Sequence, residues 1–264
     1  MKRLTLLSVF LLLATAGVFA QSEVTTVTIT KDNGNGEKET KTFVERLIND
    51  QLYDPLPDLY YSYLDMRDGA FGQQANVPLR SSSFEWGFYS MDQIFCTENG
   101  RFGMTSGLGL SNSYNYFTHD QVLKLNEDGV ACFQNLLDYS QEDGNGPVSG
   151  SAYRTFLRYW SLRLPMMFQF QWIVGNKPVS LALGAEFELR FGVRSFARYG
   201  GSKHTISSNL NYEPVGFNAL ASFRADNAIV FVRFGLTDML SIIDTNGNKI
   251  DACQMAIGFG FNLD

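Results

Sequence analysis

Cysteine, histidine and long apolar runs are scarce in this sequence, and each shortage excludes a class of protein. Three cysteines among 264 residues are too few for a disulfide scaffold, and neither they nor the two histidines have the spacing of zinc ligands. After residue 20 there is no run of twenty apolar residues, which excludes membrane-spanning helices. The 21 basic residues against 27 acidic ones argue against nucleic acid as a partner, because binding its phosphate backbone needs a basic face. We therefore expect no metal, no cofactor and no nucleic-acid partner.

The first twenty residues predict a signal peptide that is cleaved on export. Lys2 and Arg3 form a basic start, residues 4–13 are apolar, and Val18, Phe19 and Ala20 precede the expected cleavage position. The apolar run is too short to span a bilayer as a helix, so removal is expected and not anchoring.

Residues 21–56 differ in composition from the rest of the chain and are predicted to form an N-terminal extension. Residues 23–42 are rich in Thr, Lys and Glu, and a turn signal lies at residues 33–36. The segment from Thr42 to Glu45 has the pattern of a capping box that opens a short helix toward Leu52. A hairpin followed by one helix is one interpretation, and a solvated tail is the other.

From residue 57 to residue 264 the hydrophobic period changes to two, which predicts β-strands with unlike faces. Residues 179–194 show the pattern best, with eight apolar side chains on one face and Glu and Arg among the residues on the other. The same alternation predicts strands over residues 102–116, 160–172, 230–237 and 254–263, and a less regular form of it predicts strands over residues 82–95 and 214–224. A strand over residues 58–67 is included chiefly because such barrels have an even number of strands.

The connections between these segments alternate between short and long. Tight turns are expected at residues 97–100, 175–178 and 225–227, and longer connections at residues 68–81, 118–152, 195–213 and 241–250. Outer-membrane barrels have short periplasmic turns and long outer loops. We therefore predict an all-β, eight-stranded antiparallel up-and-down transmembrane β-barrel over residues 57–264, with residues 21–56 as a short periplasmic extension.

Alternation alone does not separate a membrane barrel from a water-soluble, lipocalin-like barrel with its apolar face inside. No lysine lies within a predicted strand, although a water-facing sheet surface normally carries several. Trp160 and Trp172 share the apolar face twelve residues apart, which at ~3.3 Å per residue and a tilt near 40° corresponds to roughly 30 Å in height. This is the spacing of two aromatic girdles, so lipid is expected on the apolar face.

With lipid outside, the charged residues of the strands point into the barrel. An eight-stranded barrel is only just wide enough to be filled by side chains, so these charges should form Arg–carboxylate networks that plug it. The predicted interior charge network consists of Glu85, Arg163, Glu186, Glu188, Arg190, Arg194, Arg224 and Arg233.

Pro165 conflicts with its position inside a predicted strand. Proline has no N–H to donate to a ladder, so it is unusual in the interior of a sheet. A local bulge is the expected accommodation.

Residues 159–167, with the core Leu164-Pro165, resemble a strand of the PorT-like outer-membrane β-barrel family. The segments 183–187, 233–237 and 258–261 resemble later strands of that family in the same order. The resemblance implies an eight-stranded barrel and, in some members, a part in protein secretion or surface assembly. Its motifs are structural and name no catalytic residue.

The last strand is similar to the signal that the barrel-insertion machinery reads. Gly258, Phe261 and Leu263 have its spacing, although the chain ends on Asp264 and not on an aromatic residue. We expect that machinery to be a partner.

Two weaker patterns concern chemistry and disulfides. His204 with Ser207 or Ser208 could imitate the His–Ser site of a lipid-modifying barrel enzyme, but a serine near a histidine is common in polar loops. Cys132 and Cys253 fall on the same outer side, so a disulfide between them is one hypothesis and unpaired thiols are the other.

The sequence therefore predicts a non-enzymatic outer-membrane barrel with a structural, surface-interaction or secretion-accessory role. Expected partners are outer-membrane lipid and a surface or secretion-complex protein. The acidic loop within residues 118–152 either contacts such a protein or, as is usual for a run of charges, stays solvated. A narrow transport channel is the main alternative, and a lipid-modifying enzyme is a further one.

Overall fold

The computed structural model describes residues 27–32, 38–43, 52–97, 100–118, 121–136, 154–174, 177–199, 202–208, 210–243 and 246–263. Its strands are β1 (Val27–Asp32), β2 (Lys38–Phe43), β3 (Leu59–Asp68), β4 (Phe84–Cys96), β5 (Phe102–Tyr116), β6 (Gln121–Leu125), β7 (Ala131–Asn135), β8 (Arg154–Val174), β9 (Lys177–Tyr199), β10 (Ser202–Ser207), β11 (Val215–Ala225), β12 (Ala228–Gly235), β13 (Leu240–Ile243) and β14 (Lys249–Phe261). No helix in the described part of the chain is long and apolar enough to cross a bilayer.

The N-terminal extension contributes a two-stranded hairpin. β1 and β2 pair antiparallel, from Val27 opposite Phe43 to Asp32 opposite Lys38, which is the hairpin predicted around residues 33–36. The predicted signal peptide, residues 1–20, lies outside the described residues, and so do residues 44–51 of the helix predicted before Leu52. The predicted start of that helix is wrong, because Thr42 and Phe43 pair with β1 as the end of β2.

Eight strands close into a ring in the order β3, β4, β5, β8, β9, β11, β12 and β14, and β14 pairs back onto β3. Each neighbouring pair in this ring is antiparallel. Every segment predicted to be a barrel strand supplies one of them. The prediction of an all-β fold with a ring of eight strands is confirmed.

The two ends of the ring differ in their connections. At the end where β3 begins and β14 finishes, which we call the terminal end, the ring strands are joined by residues 97–101, 175–176 and 226–227. At the opposite end, which we call the cap end, the connections span residues 69–83, 117–153, 200–214 and 236–248. The predicted alternation of short and long connections is therefore present.

Three of the segments predicted as outer loops contain strands. β6 and β7 form an antiparallel hairpin, β13 pairs parallel with β7 and antiparallel with β14, and β10 pairs with the last residues of β9. We call β6, β7, β10 and β13 the cap. These strands have only four to six residues each, so their alternation is too brief to separate from loop sequence.

Gly192 carries a bulge that reverses which side chains of β9 point inward. The β8–β9 register shifts so that Arg158 opposes Arg194 while Trp160 opposes Phe191, which leaves one extra residue in β9. Gly192 lies at this extra residue with φ of 64°. Because of the extra residue, Val193 is buried and Arg194 is exposed, opposite to the prediction for both.

Pro165 lies in β8 without a bulge, so the bulge predicted there is wrong. The β5–β8 register is the same on both sides of it, with Ser106 opposite Met166 and Gly109 opposite Arg163, and no pairing is made between these points. The ladder is interrupted where the proline lacks an N–H. On its other side, toward β9, Pro165 stays in register.

The inside of the ring is filled in three layers. At the cap end an apolar cluster gathers residues from the ring, from the cap and from the loops between them. At the terminal end residues 52–57, which we call the terminal plug, enter the ring, and Leu56 is fully buried among Tyr60, Met167, Leu220 and Phe231. The middle layer holds buried charges.

Candidate functional site

The outward face of the ring is largely apolar and exposed, whereas the inward face is buried and carries the charges of the middle layer. Leu183 is 58% exposed and Phe259 54%, while Glu85 and Arg163 have no exposed surface. Further exposed side chains of the ring are Leu59, Tyr61, Trp86, Phe88, Leu108, Phe168, Phe170, Leu181, Phe217, Phe223, Val230 and Ile257. A water-soluble barrel has the opposite arrangement.

Arg163 lies at the centre of the middle layer. Its Nη1 is 2.6 Å from Glu186 Oε1, and its Nη2 is 2.8 Å from Glu85 Oε2 and 2.9 Å from Glu188 Oε1. Its Nε donates to Ser111 Oγ at 2.9 Å. One guanidinium therefore joins three buried carboxylates from two other strands.

Two further arginines balance the charge of this layer. Arg190 Nη2 lies 3.0 Å from Glu188 Oε2, and Arg233 Nη2 lies 2.7 Å from Glu85 Oε1. Three guanidinium groups thus face three carboxylates. We call these six residues the interior network: Glu85, Arg163, Glu186, Glu188, Arg190 and Arg233. It joins β4, β8, β9 and β12 across the ring, so its geometry suits fixing the cross-section of the barrel.

Neutral donors complete the hydrogen bonding of the three carboxylates. They are Tyr60, Tyr89, Ser113, Ser161 and Asn218. The Tyr89 hydroxyl donates to Glu186 Oε2 at 2.7 Å, and Ser113 Oγ donates to Glu85 Oε2 at 2.6 Å. Sequence reasoning did not name these donors, although Tyr89 follows Glu85 by four residues and therefore shares its face of the strand.

Arg224, also predicted for the interior, is buried at the terminal end beside the plug. Its Nη1 donates to the Asp54 carbonyl oxygen at 3.0 Å, and its Nε donates to the Asp226 carbonyl oxygen at 2.6 Å. Its guanidinium also lies 5.2 Å from the ring centroid of Tyr53. Arg224 thereby ties the plug to β11.

Arg194, in contrast, is not part of the interior. It is exposed on the outward face of β9, because the bulge at Gly192 reverses the alternation beyond that point.

Replacing Gly192 with alanine should test the bulge. A Cβ at this position would meet nothing within 4 Å, so only the left-handed backbone opposes the change. We expect Gly192→Ala to lower the free energy of unfolding by about 1 kcal/mol, and Gly192→Asn to lower it less because asparagine tolerates this conformation. Urea unfolding in lipid vesicles measures the free energy of unfolding of both variants. If the alanine variant is as stable as the parent, the left-handed backbone at the bulge is contradicted.

The tryptophans lie on the outward face at two levels. Trp160 is half-buried and packs edge-to-face against Trp86, with ring centroids 5.8 Å apart. Trp172 lies near the terminal end and packs on Phe170, with centroids 5.6 Å apart. Trp86 was not predicted to belong to the girdle. It pairs with Asn112, and Asn112 pairs on its other side with Trp160, so the indoles of Trp86 and Trp160 lie at the same height.

None of the three cysteines forms a disulfide, so the structure does not contain the bridge between Cys132 and Cys253 that was one of the two hypotheses. Cys253 Sγ donates to Asp238 Oδ1 at 3.3 Å. Cys132 lies on β7 opposite Ile243, away from the part of β14 that holds Cys253. Partial burial raises the pKa of the Cys132 thiol.

Residues suggested for chemistry lie in or near the cap. His204 pairs with Ala197, and Ser207 pairs with Ser195. Ala197 and Ser195 lie on the same face of β9, so a register shift between Thr205 and Ser207 places His204 and Ser207 on one face of β10. Catalysis by this pair stays a hypothesis.

In the described part of the chain no three His, Cys, Asp or Glu side chains are grouped as metal ligands would be. A cleft of ≈ 180 Å³ is lined by Gly129, Val130, Ala131, Asn211, Glu213, Asp238, Ser241 and Lys249.

Comparison with known proteins yields a distant structural likeness. No protein-family model and no curated protein matches the chain, so the PorT-like resemblance stays a prediction. The chain is similar to the crystal structure of Ail, the attachment invasion locus protein of Yersinia pestis, solved in complex with the heparin analogue sucrose octasulfate. Identity is 10%, the match covers 77% of this chain and 95% of that chain, and the TM-score is 0.31. A likeness at this level transfers no function.

Proposed function

We propose that this chain is a non-enzymatic barrel of the outer membrane that holds its cap at the cell surface, in a surface-interaction or secretion-accessory role. The observation that carries the proposal is the belt of exposed apolar side chains around a ring whose middle layer holds buried charges. In water such a belt is far larger than the apolar patches of soluble monomers, whereas acyl chains would cover it. The two levels of tryptophan on the same face support girdles at the two membrane interfaces.

The filled interior favours an anchor over a transport channel. The apolar cluster closes the cap end, the interior network fills the middle, and the terminal plug occupies the remaining end. A channel would need a continuous polar path through all three layers.

The cap favours a binding role. Its strands pair with one another and with β9 and β14, and they pack on the apolar cluster through residues such as Leu123 and Ile242. A surface supported in this way is pre-organised for contact with a partner. The exposed Glu127 and Asp128 in the turn between β6 and β7 suit a partner with basic groups.

Reconstitution tests the membrane assignment. The mature chain, refolded from urea with phosphatidylcholine vesicles, should float with the vesicles, resist protease over its ring strands and run faster on gels when unheated. Refolding in plain buffer should give aggregates, because the belt has no cover there. A soluble, folded monomer in plain buffer would contradict the proposal.

Conductance separates an anchor from a channel. We expect planar bilayers that contain the folded protein to show no current steps above the lipid baseline, because described side chains occupy each of the three layers of the interior. A porin reconstituted in the same way provides the positive control. Steady unitary currents that scale with salt concentration would instead favour the channel alternative.

A further inference from the structure

Five cations gather on the outward face of three adjacent strands at the cap end. Arg154 and Arg158 lie on β8, Arg194 and Arg198 on β9, and Lys203 on β10. Arg198 opposes Arg154 on one side and Lys203 on the other, and Arg158 opposes Arg194. Directly opposed residues share a face, so the five side chains form one group, which we call the cation platform.

The bulge at Gly192 assembles the platform. Without the extra residue, the alternation that points Arg190 inward would point Arg194 and Arg198 inward as well. With it, both arginines are exposed, and Val193 takes an inward position in the apolar cluster. Bulges commonly redirect side chains next to functional sites.

The platform has no carboxylate partner among the described residues. No Asp or Glu occurs in residues 154–174 or 202–208, and the two in β9, Glu186 and Glu188, point into the ring. No described carboxylate forms an ion pair with any of the five cations. Like charges directly opposite each other destabilise a sheet, so this arrangement favours binding of an anion.

Aromatic rings lie beneath and beside the cations. Lys203 Nζ is 3.6 Å from the ring centroid of Phe196, and the Arg158 guanidinium is 5.4 Å from that of Tyr114 and 5.6 Å from that of Trp160. The face is thus amphipathic, with rings toward the apolar belt and charges at its margin. Desolvation and the neighbouring arginines lower the pKa of Lys203.

The height of the platform suits a lipid headgroup. Arg154 lies six residues beyond Trp160 along β8, which corresponds to roughly 15 Å along the barrel axis at ~3.3 Å per residue and a tilt near 40°. If Trp160 marks the outer interface, the platform begins at that interface and extends outward from it. Headgroup phosphates lie in this zone, and arginine binds phosphate with two parallel hydrogen bonds.

We propose that the cation platform binds the phosphates of an anionic glycolipid in the outer leaflet, whose acyl chains lie on the apolar belt below. The inference rests on the proposed function, because it requires lipid on the outward face. The apolar belt continues from the platform toward Leu162, Leu189 and Phe191. A soluble protein or polysaccharide anion has no acyl chains that would cover this belt.

Binding of a bisphosphorylated, acylated glucosamine disaccharide to the detergent-solubilised full chain tests the proposal. Arg154→Gln/Arg198→Gln should weaken binding about 25-fold, at about fivefold for each cation lost near a lipid phosphate. Adding Lys203→Gln should weaken it about fivefold more. The matched control, Arg101→Gln/Lys177→Gln, removes the same charge at the terminal end and should bind like the parent. The dephosphorylated glycolipid with the same acyl chains should bind all variants equally weakly.

The outcomes separate the two proposals. Equal affinity for the phosphorylated and dephosphorylated glycolipids, or unchanged binding by the double variant, would overturn the platform as a phosphate site. Binding of inorganic phosphate as tight as that of the glycolipid would overturn the lipid as its source, and so would tighter binding of a sulfated polysaccharide. In each case the variants would still float with vesicles, whereas failure of the parent to float would overturn the proposed function itself.

Discussion

Replacing Arg163 with methionine should lower the free energy of unfolding by about 3–5 kcal/mol, because it leaves buried carboxylates without their shared cation. Arg163 has no exposed surface and lies within 2.9 Å of an oxygen on each of Glu85, Glu186 and Glu188. After the change, only Arg190 and Arg233 would face the three negative charges. Equilibrium urea unfolding of the protein folded into phosphatidylcholine vesicles measures the loss.

Two companion variants show whether the loss comes from the interior network. Arg194→Met removes the same kind of side chain from the exposed face of β9 and should change stability by no more than about 0.5 kcal/mol. Adding Glu186→Gln to Arg163→Met removes one unpaired charge and should recover part of the loss. A loss below about 1 kcal/mol for Arg163→Met would mean that the network is hydrated like a surface ion pair.

Truncating the plug residue Leu56 to alanine should cost about 3 kcal/mol, the second largest effect that we expect. Leu56 is fully buried against Tyr60, Met167 and Phe231, and these side chains are held by the ring. The truncation therefore leaves a cavity that the ring cannot close, and the lost contacts add to the lost burial. The same unfolding measurement in vesicles gives the value.

Leu59 provides the matched control for this variant. It lies three residues later and is 53% exposed on the outward face, where acyl chains would fill the space left by truncation. Leu59→Ala should therefore cost less than about 1 kcal/mol. Equal losses for the two variants would show that Leu56 does not pack inside the ring.

The ring strands could be predicted because their two faces meet unlike surroundings along their whole length. Residues 179–191, for example, keep an apolar side chain at every second position, and the structure has them in β9 with these side chains outward. The cap could not be predicted in the same way. β10 and β13 have six and four residues, and they form because the ends of β9 and β14 offer unpaired edges beside them.

The interior network was only partly predictable for a related reason. A period of two assigns Glu85, Arg163 and Glu188 to one face of their strands, but which of them meet depends on the register between strands. The register brings Glu85 and Glu188 to the single guanidinium of Arg163. It also lets Tyr60 reach Glu85 on the neighbouring strand and lets Tyr89 reach Glu186 across the ring, contacts that no local pattern encodes.

By itself, the sequence determined which side of most ring strands is apolar and the alternation of short and long connections, because these depend on local periodicity and turn residues. The strand over residues 58–67 was predicted chiefly from the even number of strands in such barrels. Only the tertiary structure decided where the alternation reverses, since one extra residue at Gly192 shows itself only against the register of β8. That residue sends Val193 into the core and sets Arg194 and Arg198 beside Arg154 and Lys203 on the outer face. Closure of the ring, which brings β14 onto β3 and charges from four strands together, was likewise a property of the folded chain.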